Sequence, residues 1–289
     1  MTSRLWRAFV VSLVLGSTVV AADPKESPPP PLTLRVMTFN LRFANEQPPH
    51  AWPERRPVMK RVIERAAPDV IGTQEGIYGQ LRDLAADLPD YEWIGLGREG
   101  GSRGEFTAVF FRRDKFEPIA FDHFWLSDTP DTIGSMTWGN RYRRMVTWVR
   151  LRERASGRVF EFWNTHLDHE IEAAREKAAA LIAERIARVD AHVPLLLVGD
   201  FNCRAGASAP YTQLTQQAGL IDTWLAATHR TNDGLNTFHG YAPPKHDGER
   251  IDWILARAPR AVDDAAILND AEPGRTPSDH FPVTATVRF

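Results

Sequence analysis

Apolar and polar positions alternate with a period of two over several short stretches, the first of which is residues 34–40. Its side chains fall alternately on opposite faces, which predicts a strand that ends at Asn40. At residues 195–198, by contrast, four consecutive apolar residues precede Gly199. Such a run is typical of a strand buried on both faces or of a short buried helix, and the glycine favours a strand followed by a sharp turn. Further strands are predicted at residues 69–75, 91–94, 106–111, 144–151, 159–164, 251–255 and 283–287, with an extended pair at 116–126.

Helical periodicity is clearest at residues 170–191, where apolar residues recur every three or four positions. Pro53 begins and Pro68 stops a helix over residues 52–67, and two more helices are predicted over 77–88 and 209–218. The glycine-rich residues 95–104 are predicted to form a loop. Because strand pairs and helices alternate twice, the pattern predicts an α/β (α+β) fold in which two packed mixed or antiparallel sheets are flanked by helices.

The first 22 residues have the pattern of a secretory signal peptide, with Arg4 and Arg7, an apolar stretch and a small-residue cleavage site. The apolar stretch is shorter than an ordinary membrane span, and an uncleaved anchor is the alternative. Residues 23–31 are proline-rich and predict a linker. No internal repeat or second linker follows, so residues 32–289 are expected to form one domain of a secreted or periplasmic protein.

Charge and cysteine content restrict the class of protein further. The formal net charge is −2, and removal of residues 1–22 with their two arginines leaves −4. This charge argues against non-specific binding of nucleic acid through a broad basic face, although it allows a local basic patch. Cys203 is the single cysteine, so an intramolecular disulfide is excluded and an exported fold must be stabilised by burial of its core.

Polar side chains recur where the predicted strands end. Asp200 and Asn202 follow the central apolar run, and a carboxylate and a carboxamide two residues apart suit general-base and phosphate-positioning work. Taken singly, each residue is equally compatible with a structural role, such as an Asx turn, a solvated strand end or a buried histidine. The complete set is Asn40, Glu75, His166, Asp200, Asn202, Asp252, Asp279 and His280.

Taken together and in this order, these residues resemble the site motifs of the endonuclease/exonuclease/phosphatase superfamily of metal-dependent phosphohydrolases, which includes DNase I. The most specific motifs are Gly-Asp-Phe-Asn at residues 199–202 and Ser-Asp-His at residues 278–280, and the resemblance covers residues 32–289. It implies a four-layer α/β sandwich with the site where the two sheets meet. It also implies a metal held by Asn40, Glu75 and Asp279, whose hard oxygen atoms suit Mg²⁺, or Mn²⁺ in its place.

The resemblance also implies roles for the remaining residues of the set. Asp200 matches the residue that orients or deprotonates the attacking water, and Asn202 helps to hold that water and the phosphate. His280 matches a histidine that contacts the scissile phosphate, and Asp252 matches the carboxylate that holds it. His166 matches a second phosphate-side histidine, and both rings are expected to be positively charged.

Other residues are candidates for the second histidine's partner and for substrate contacts. In DNase-like members of the family a glutamate pairs with this histidine, and Glu105 matches it in position. Arg143 or Arg144 is a candidate phosphate clamp because guanidinium can bind phosphate through two hydrogen bonds, with a surface arginine as the alternative. Trp138 and residues 237–240 are expected to shape the substrate pocket. Asp168 and His169 are expected near the substrate or a second metal, with a solvated loop as the alternative.

The function predicted first is that of an exported divalent-metal-dependent phosphodiesterase or nuclease. It would use a water activated by Asp200 and phosphate contacts from the two histidines. One alternative is a phosphomonoesterase or a sphingomyelinase- or phospholipase C-like enzyme; another is a catalytically inactive binding module, against which the intact set of residues argues. The expected substrate is a phosphate ester of a nucleic acid, nucleotide, lipid or small molecule, and the protein is expected to be a monomer without a stable protein partner.

Overall fold

Two β-sheets carry most of the regular structure in the computed structural model, which describes residues 31–269 and 276–289. The predicted signal peptide and residues 23–30 of the predicted linker lie outside these ranges. The strands are β1 Thr33–Asn40, β2 Val70–Ile77, β3 Tyr91–Ile94, β4 Glu105–Arg112, β5 Phe116–Trp125, β6 Met145–Glu153, β7 Val159–His166, β8 Leu195–Asp200, β9 Leu220–Asp222, β10 Ala227–Thr231, β11 Asp252–Arg257, β12 Ala261–Ile267 and β13 Val283–Arg288. The helices are α1 Trp52–Ala66, α2 Tyr78–Asp87, α3 Glu172–Ala187, α4 Ala209–Thr212 and α5 Thr223–Ala226, with a π-turn at Gln213–Gln217.

The strand order is β10-β12-β13-β1-β2-β4-β3 in the seven-stranded sheet and β5-β6-β7-β8-β11-β9 in the six-stranded sheet. Each sheet contains a parallel pair connected through a helix, β1–β2 through α1 and β7–β8 through α3. The other central pairs, β1–β13 and β8–β11, are antiparallel. Each sheet therefore contains both parallel and antiparallel pairs of strands, as expected from the sequence.

The core is arranged in three apolar layers. Val36 of the first sheet and Phe162 of the second belong to the cluster between the two sheets. Met59 and Leu81, from α1 and α2, cover the outer face of the seven-stranded sheet, and Ile182 of α3 covers the outer face of the other. This order of helix, sheet, sheet and helix confirms the predicted four-layer sandwich. In the described residues, no helix is both long and apolar enough to cross a membrane.

Several predicted boundaries were wrong. An extended pair was predicted at residues 116–126, whereas the structure has the single strand β5, Phe116–Trp125. The helix predicted at 170–191 is confined to α3, and residues 209–218 contain one turn of α-helix followed by the π-turn. Strands β9, β10 and β12 were not predicted. In β12 the register against β13 shifts between Val262 and Asp264, which interrupts the alternation.

A buried polar network and two glycines bring the strands close together beneath one end of the sandwich. Asn164 of β7 donates to the carbonyl oxygens of Thr73 and Ala108, at 2.8 and 2.9 Å, and accepts from Gln74 Nε2 at 2.7 Å. A Cβ atom on Gly72 would lie 2.4 Å from Val198 Cγ2, and one on Gly199 would lie 2.2 Å from the carbonyl oxygen of Thr165. Larger residues at these glycines would therefore separate strands that carry polar side chains at their ends.

Candidate active site

The strand register brings the predicted residues to one edge of the sandwich. In the six-stranded sheet, Asp200 at the end of β8 is paired with His166 on one side and with Asp252 on the other. In the seven-stranded sheet, Asn40 at the end of β1 is paired with Gln74, the residue before Glu75. Because both parallel pairs end at the same edge, side chains far apart in the sequence meet there.

These side chains surround an open cavity of about 560 Å³. Asn40 and Asp252, both fully buried, contact residues of its wall from behind. Glu75 and Asn202 both have positive φ angles, of 62° and 48°. The chain at Glu75 also departs from regular β2–β4 pairing, which aims a side chain out of the sheet. The wall is formed by Arg42, Phe43, Glu75, Ile77, Arg98, Gly104, Glu105, Tyr142, Arg144, His166, His169, Asp200, Asn202, Phe238, Ile251, Asp279 and His280.

Asp200 lies at the centre of the polar contacts. Its Oδ1 accepts the backbone N–H of Asn202 at 2.9 Å, and its Oδ2 accepts Asn40 Nδ2 at 2.9 Å. The Nε2 atoms of His166 and His280 lie 3.5 and 3.7 Å from the same Oδ2. Burial and the nearby Asp252 carboxylate raise the pKa of Asp200 to about 7, against the opposing influence of His280. A carboxylate with such a pKa can accept a proton near neutral pH.

His280 forms the predicted pair with Asp252. The two join through His280 Nδ1 and Asp252 Oδ2 at 3.0 Å, and both side chains are buried. Although burial lowers the pKa of His280, the carboxylates of Asp252 and Asp200 outweigh it and raise the pKa to about 10. The ring is therefore an imidazolium at neutral pH, as expected.

His166 does not form the predicted pair with Glu105, and this prediction was wrong. Glu105 instead binds Arg98 through two hydrogen bonds of 2.6 and 3.0 Å. Burial lowers the pKa of His166 well below its ordinary value, and the positive charges of Arg144 and Arg98 lower it further. Burial and the neighbouring cations therefore favour the neutral ring, contrary to the prediction of a positively charged His166.

Glu75 and Asp279 form an acidic corner that fits a hard cation. Each carboxylate lies 3.7 Å from the guanidinium of Arg42, so the two face one region of the cavity. Burial raises the pKa of Asp279, and the Glu75 carboxylate contributes to this rise. Although burial raises the pKa of Glu75, His280 and the hydrogen bond from Asn40 outweigh it and lower the pKa, so this carboxylate is charged at neutral pH. Two neighbouring carboxylates at a cavity wall are a donor set that suits Mg²⁺ or Mn²⁺.

Asn40 differs from the expected arrangement of a metal ligand. Its Nδ2 donates to Glu75 Oε1 at 3.0 Å as well as to Asp200, and its Oδ1 accepts the backbone N–H of Arg42 at 2.9 Å. The amide nitrogen, not the oxygen, therefore faces the two carboxylates. Asn40 fixes the orientation of both.

A second grouping with the spacing of a metal site consists of Asp200, Asp252 and His280. In this grouping the Nδ1 atom of His280 is already hydrogen-bonded to Asp252, and the ring is protonated at neutral pH. An imidazolium has no free lone pair for a metal. The charges of the grouping instead favour an ion pair between His280 and Asp252, with Asp200 beside it as the basic carboxylate.

Of the two candidate phosphate clamps, only Arg144 lies in the cavity wall. Its side chain is buried, and its Nη2 contacts His169 Nδ1 at 3.1 Å. Its Nε and Nη1 atoms have no hydrogen-bond partner in the described structure. Arg143 instead donates its Nε–H to the carbonyl oxygen of Gly134 at 2.6 Å and does not line the cavity.

Of the other predicted substrate contacts, some line the cavity and some do not. His169 and Phe238, the latter from residues 237–240, line the wall. Asp168 does not: its Oδ1 accepts the backbone N–H groups of Glu170 and Ile171 at the start of α3. Trp138 also lies elsewhere, in a separate groove where its Nε1 donates to Asp128 at 2.7 Å. Its predicted role in shaping the substrate pocket was wrong.

Arg42 and Arg98 are residues of the wall that the sequence did not identify. Arg42 follows β1 with a φ of 51°, and no periodicity marks the turn that brings it beside Glu75 and Asp279. Arg98 lies in the predicted glycine-rich loop, where a bridge between Gly97 and Phe106 holds it near Glu105. The charge of each residue was visible in the sequence, but its direction depends on a loop conformation.

Residues 37–280 match the model of the endonuclease/exonuclease/phosphatase family. The chain belongs to that family. Its members hydrolyse phosphoesters, so the chain is a hydrolase of this class. A similar curated protein is an uncharacterized protein of Acanthamoeba polyphaga mimivirus, 29% identical over 162 residues. That match covers 53% of this chain and 60% of the viral protein.

Solved structures of the family extend the likeness over nearly the whole chain. A mannosyl-6-phosphatase from Bacteroides thetaiotaomicron is 33% identical, with a TM-score of 0.83 over 89% of this chain and 100% of that one. Another family protein from the same organism is 32% identical, with a TM-score of 0.84 over 90% of this chain and 99% of that one. The family and the sandwich fold predicted from the sequence are confirmed.

Proposed function

We propose that the protein is a divalent-metal-dependent phosphomonoesterase that acts on a small phosphorylated molecule outside the cytoplasm. The site for the terminal phosphate is the part of the cavity bounded by Arg144, His166, Asp200 and His280. The observation that carries the proposal is Arg144, a buried guanidinium in the cavity wall with two nitrogen atoms that lack partners.

Unpaired donors on a buried cation indicate an anionic ligand. A buried charged group without partners is destabilising, so a ligand that accepts from its N–H groups would be bound strongly. A terminal phosphate carries three non-bridging oxygen atoms and up to two negative charges, and therefore uses more donors than a diester does. The likeness to a mannosyl-6-phosphatase at 33% identity supports the same class of substrate.

The residues around Asp200 are arranged for attack of water on phosphorus. Asp200 would accept a proton from that water as the new P–O bond forms and the bond to the leaving oxygen breaks. The alkoxide released would take up a proton from solvent and leave as the alcohol. The His280 imidazolium would balance negative charge on the phosphoryl oxygens, and the neutral His166 would contribute a hydrogen bond. Asn202, whose backbone N–H binds Asp200 Oδ1, would hold the carboxylate in position.

Glu75 and Asp279 would hold the metal, with Asn40 fixing Glu75. A divalent cation bound there supplies Lewis-acid stabilisation of charge that develops on oxygen during hydrolysis. Mg²⁺ is the proposed ion and Mn²⁺ its substitute, because all the donor atoms offered are hard oxygens.

A phosphodiesterase or nuclease, the function predicted first from the sequence, is the second candidate. The observation that favours it is Phe238, which lines the cavity and is 47% exposed. A half-exposed aromatic ring beside a phosphate site can stack on a nucleobase.

A turnover panel on the purified protein with Mg²⁺ or Mn²⁺ tests the proposal. The substrates are p-nitrophenyl phosphate, a hexose 6-phosphate, bis-p-nitrophenyl phosphate and DNA, each assayed with and without EDTA. We expect the monoesters to be hydrolysed faster than the diesters, and EDTA to abolish turnover. Cleavage of DNA or the diester without any hydrolysis of monoesters would favour the second candidate, and full activity after exhaustive chelation would contradict the metal requirement.

Arg144→Met sharpens the test because Arg143→Met is a matched control one residue away. Loss of hydrogen bonds to a charged group, worth about 1.5–3 kcal/mol each, should lower kcat/KM for monoesters by at least about 10-fold. Arg143→Met should leave it nearly unchanged, since that side chain does not line the cavity. Equal effects of the two substitutions would remove Arg144 from phosphate binding.

A further inference from the structure

Arg55 of α1 is a buried arginine that donates hydrogen bonds to five backbone carbonyl groups. Its Nη1 contacts the carbonyl oxygens of Leu41 and Pro277 at 2.7 and 2.9 Å. Its Nη2 contacts those of Arg42 and Phe43 at 3.0 and 3.1 Å. Its Nε contacts that of His50 at 2.9 Å. All three guanidinium nitrogens therefore bind backbone.

Four of the five carbonyls belong to two segments beside the acidic corner, and the fifth is that of His50, shortly before α1. The first segment, residues 41–43, directly follows Asn40 and contains the N–H groups that bind Asn40 Oδ1 and Glu75 Oε2. Pro277 lies two residues before Asp279. Three successive carbonyls of the first segment turn towards one guanidinium, which accords with the positive φ at Arg42.

Ser278 makes a second connection between the same segments. Its hydroxyl donates to the carbonyl oxygen of Asn40 at 2.6 Å and lies 3.3 Å from Asp279 Oδ1. Arg55 and Ser278 thus join the chain after β1 to the chain before β13. Asp279 extends from the second of these segments. Glu75 extends from β2 and is joined to the first segment through the backbone N–H of Phe43, which donates to its Oε2.

We propose that Arg55, assisted by Ser278, is a positioning residue that sets the distance between Glu75 and Asp279 and thereby the affinity of the acidic corner for a divalent cation. Arg55 does not line the cavity and touches neither carboxylate through a hydrogen bond. It acts through the backbone of both segments. The inference rests on the proposed metal site.

Lysine cannot replace arginine in this role. Its ammonium group carries the same charge but has three donors on one atom, whereas the guanidinium presents five N–H groups in a fixed plane. Arg55→Lys should therefore keep the buried charge and lose most of the connection. Loss of residues that orient ligands typically weakens metal binding by about 10–100-fold.

Arg257 of β11 offers a matched control. Its guanidinium also donates to several carbonyls of one connection, those of Val189, Asp190 and Val193. It lies five residues along β11 from Asp252, about 17 Å from the site at the rise of a β-strand. Arg257→Lys breaks bonds of the same kind, to three carbonyls, without touching the acidic corner.

The test is calorimetric titration of Mn²⁺ into the wild-type protein and the two variants, at a temperature below the melting transition of all three. We expect Arg55→Lys to raise the Mn²⁺ Kd by about 10–100-fold and Arg257→Lys to leave it unchanged, even where their melting temperatures fall equally. Saturating Mn²⁺ should restore most of the kcat of Arg55→Lys. An unchanged Kd for Arg55→Lys, or an equal rise for Arg257→Lys, would overturn the proposal.

The experiment also distinguishes failure of the proposed metal site from failure of the positioning role. If wild type binds no divalent metal, the metal site of the proposed function fails, whereas normal binding by wild type and Arg55→Lys alike defeats only the positioning role. Should Arg55→Lys not fold, Ser278→Ala removes one hydroxyl from the same connection. Weaker Mn²⁺ binding by that variant would support the proposal, and unchanged binding would overturn it.

Discussion

The two histidines of the cavity differ in charge although both lie close to the same atom, Asp200 Oδ2. The Nε2 atoms are 3.5 Å away in His166 and 3.7 Å away in His280. Behind His280 lies the Asp252 carboxylate, which raises its pKa to about 10 despite burial. Among the described residues, His166 has no carboxylate in the equivalent position: burial lowers its pKa, and the cations Arg144 and Arg98 lower it further.

The difference teaches that the neighbour behind each ring decides its charge, not its distance from the shared carboxylate. On the His280 side, positive charge is concentrated on a histidine. On the His166 side, it resides on arginines, one of which is already neutralised by Glu105. The two sides of the phosphate site would therefore be cationic for different reasons, and substitutions can separate them.

The largest effect is expected from Asp200→Asn, which removes the group that both histidines share. General-base catalysis is typically worth about 10²–10⁴-fold, and kcat should fall by this factor on every substrate that the protein hydrolyses. Metal binding should change little, because Glu75 and Asp279 remain. Kinetics and Mn²⁺ titration check the two statements, and a variant as active as wild type would remove Asp200 from the mechanism.

A smaller and one-sided effect is expected from Asp252→Asn. The raised pKa of His280 means that its charged pair is fully present below its ordinary pKa of 6.5 and is lost as pH rises through about 10. Without Asp252 the pKa should fall, so the alkaline decline of kcat/KM should move to lower pH. Loss of the charged contact at neutral pH should cost about 10–100-fold in kcat/KM.

Glu105→Gln is the matched control on the other side and should have the smallest effect. Glu105 binds Arg98 and not His166, so its removal should leave the alkaline decline of kcat/KM at the same pH. If this decline shifted as far as it does in Asp252→Asn, both histidines would depend on carboxylate partners, and the proposed difference between them would be wrong.

The pattern was sufficient to predict two packed sheets flanked by helices, because strand ends are marked by alternation and glycine. That Asn40, Glu75, Asp200 and His280 meet was implied by the family resemblance, which rests on the motifs at residues 199–202 and 278–280. This reasoning depends on local pattern and on the order of elements. It needs no knowledge of loop conformation.

The partner of Glu105 could not be predicted in the same way. Its position at the start of β4 was close to the prediction, but its choice of Arg98 over His166 depends on the fold of the glycine-rich loop. Trp138 was misplaced for the same reason, since residues 127–140 have no periodicity. Burial lowers the pKa of His166, and Arg144 and the loop residue Arg98 lower it further, so its protonation state could not be predicted from the strand pattern.

Side-chain ¹⁵N chemical shifts of His166 and His280 test the central difference most directly. They would be measured across pH in protein freed of divalent metal and assigned with the His166→Asn and His280→Asn variants. At pH 7 the His280 ring should show two protonated nitrogens, and its titration should begin only as pH approaches about 10. His166 should be neutral at pH 7 and become protonated only below its ordinary value of 6.5. Two rings that titrate together, or a charged His166 at pH 7, would contradict the account.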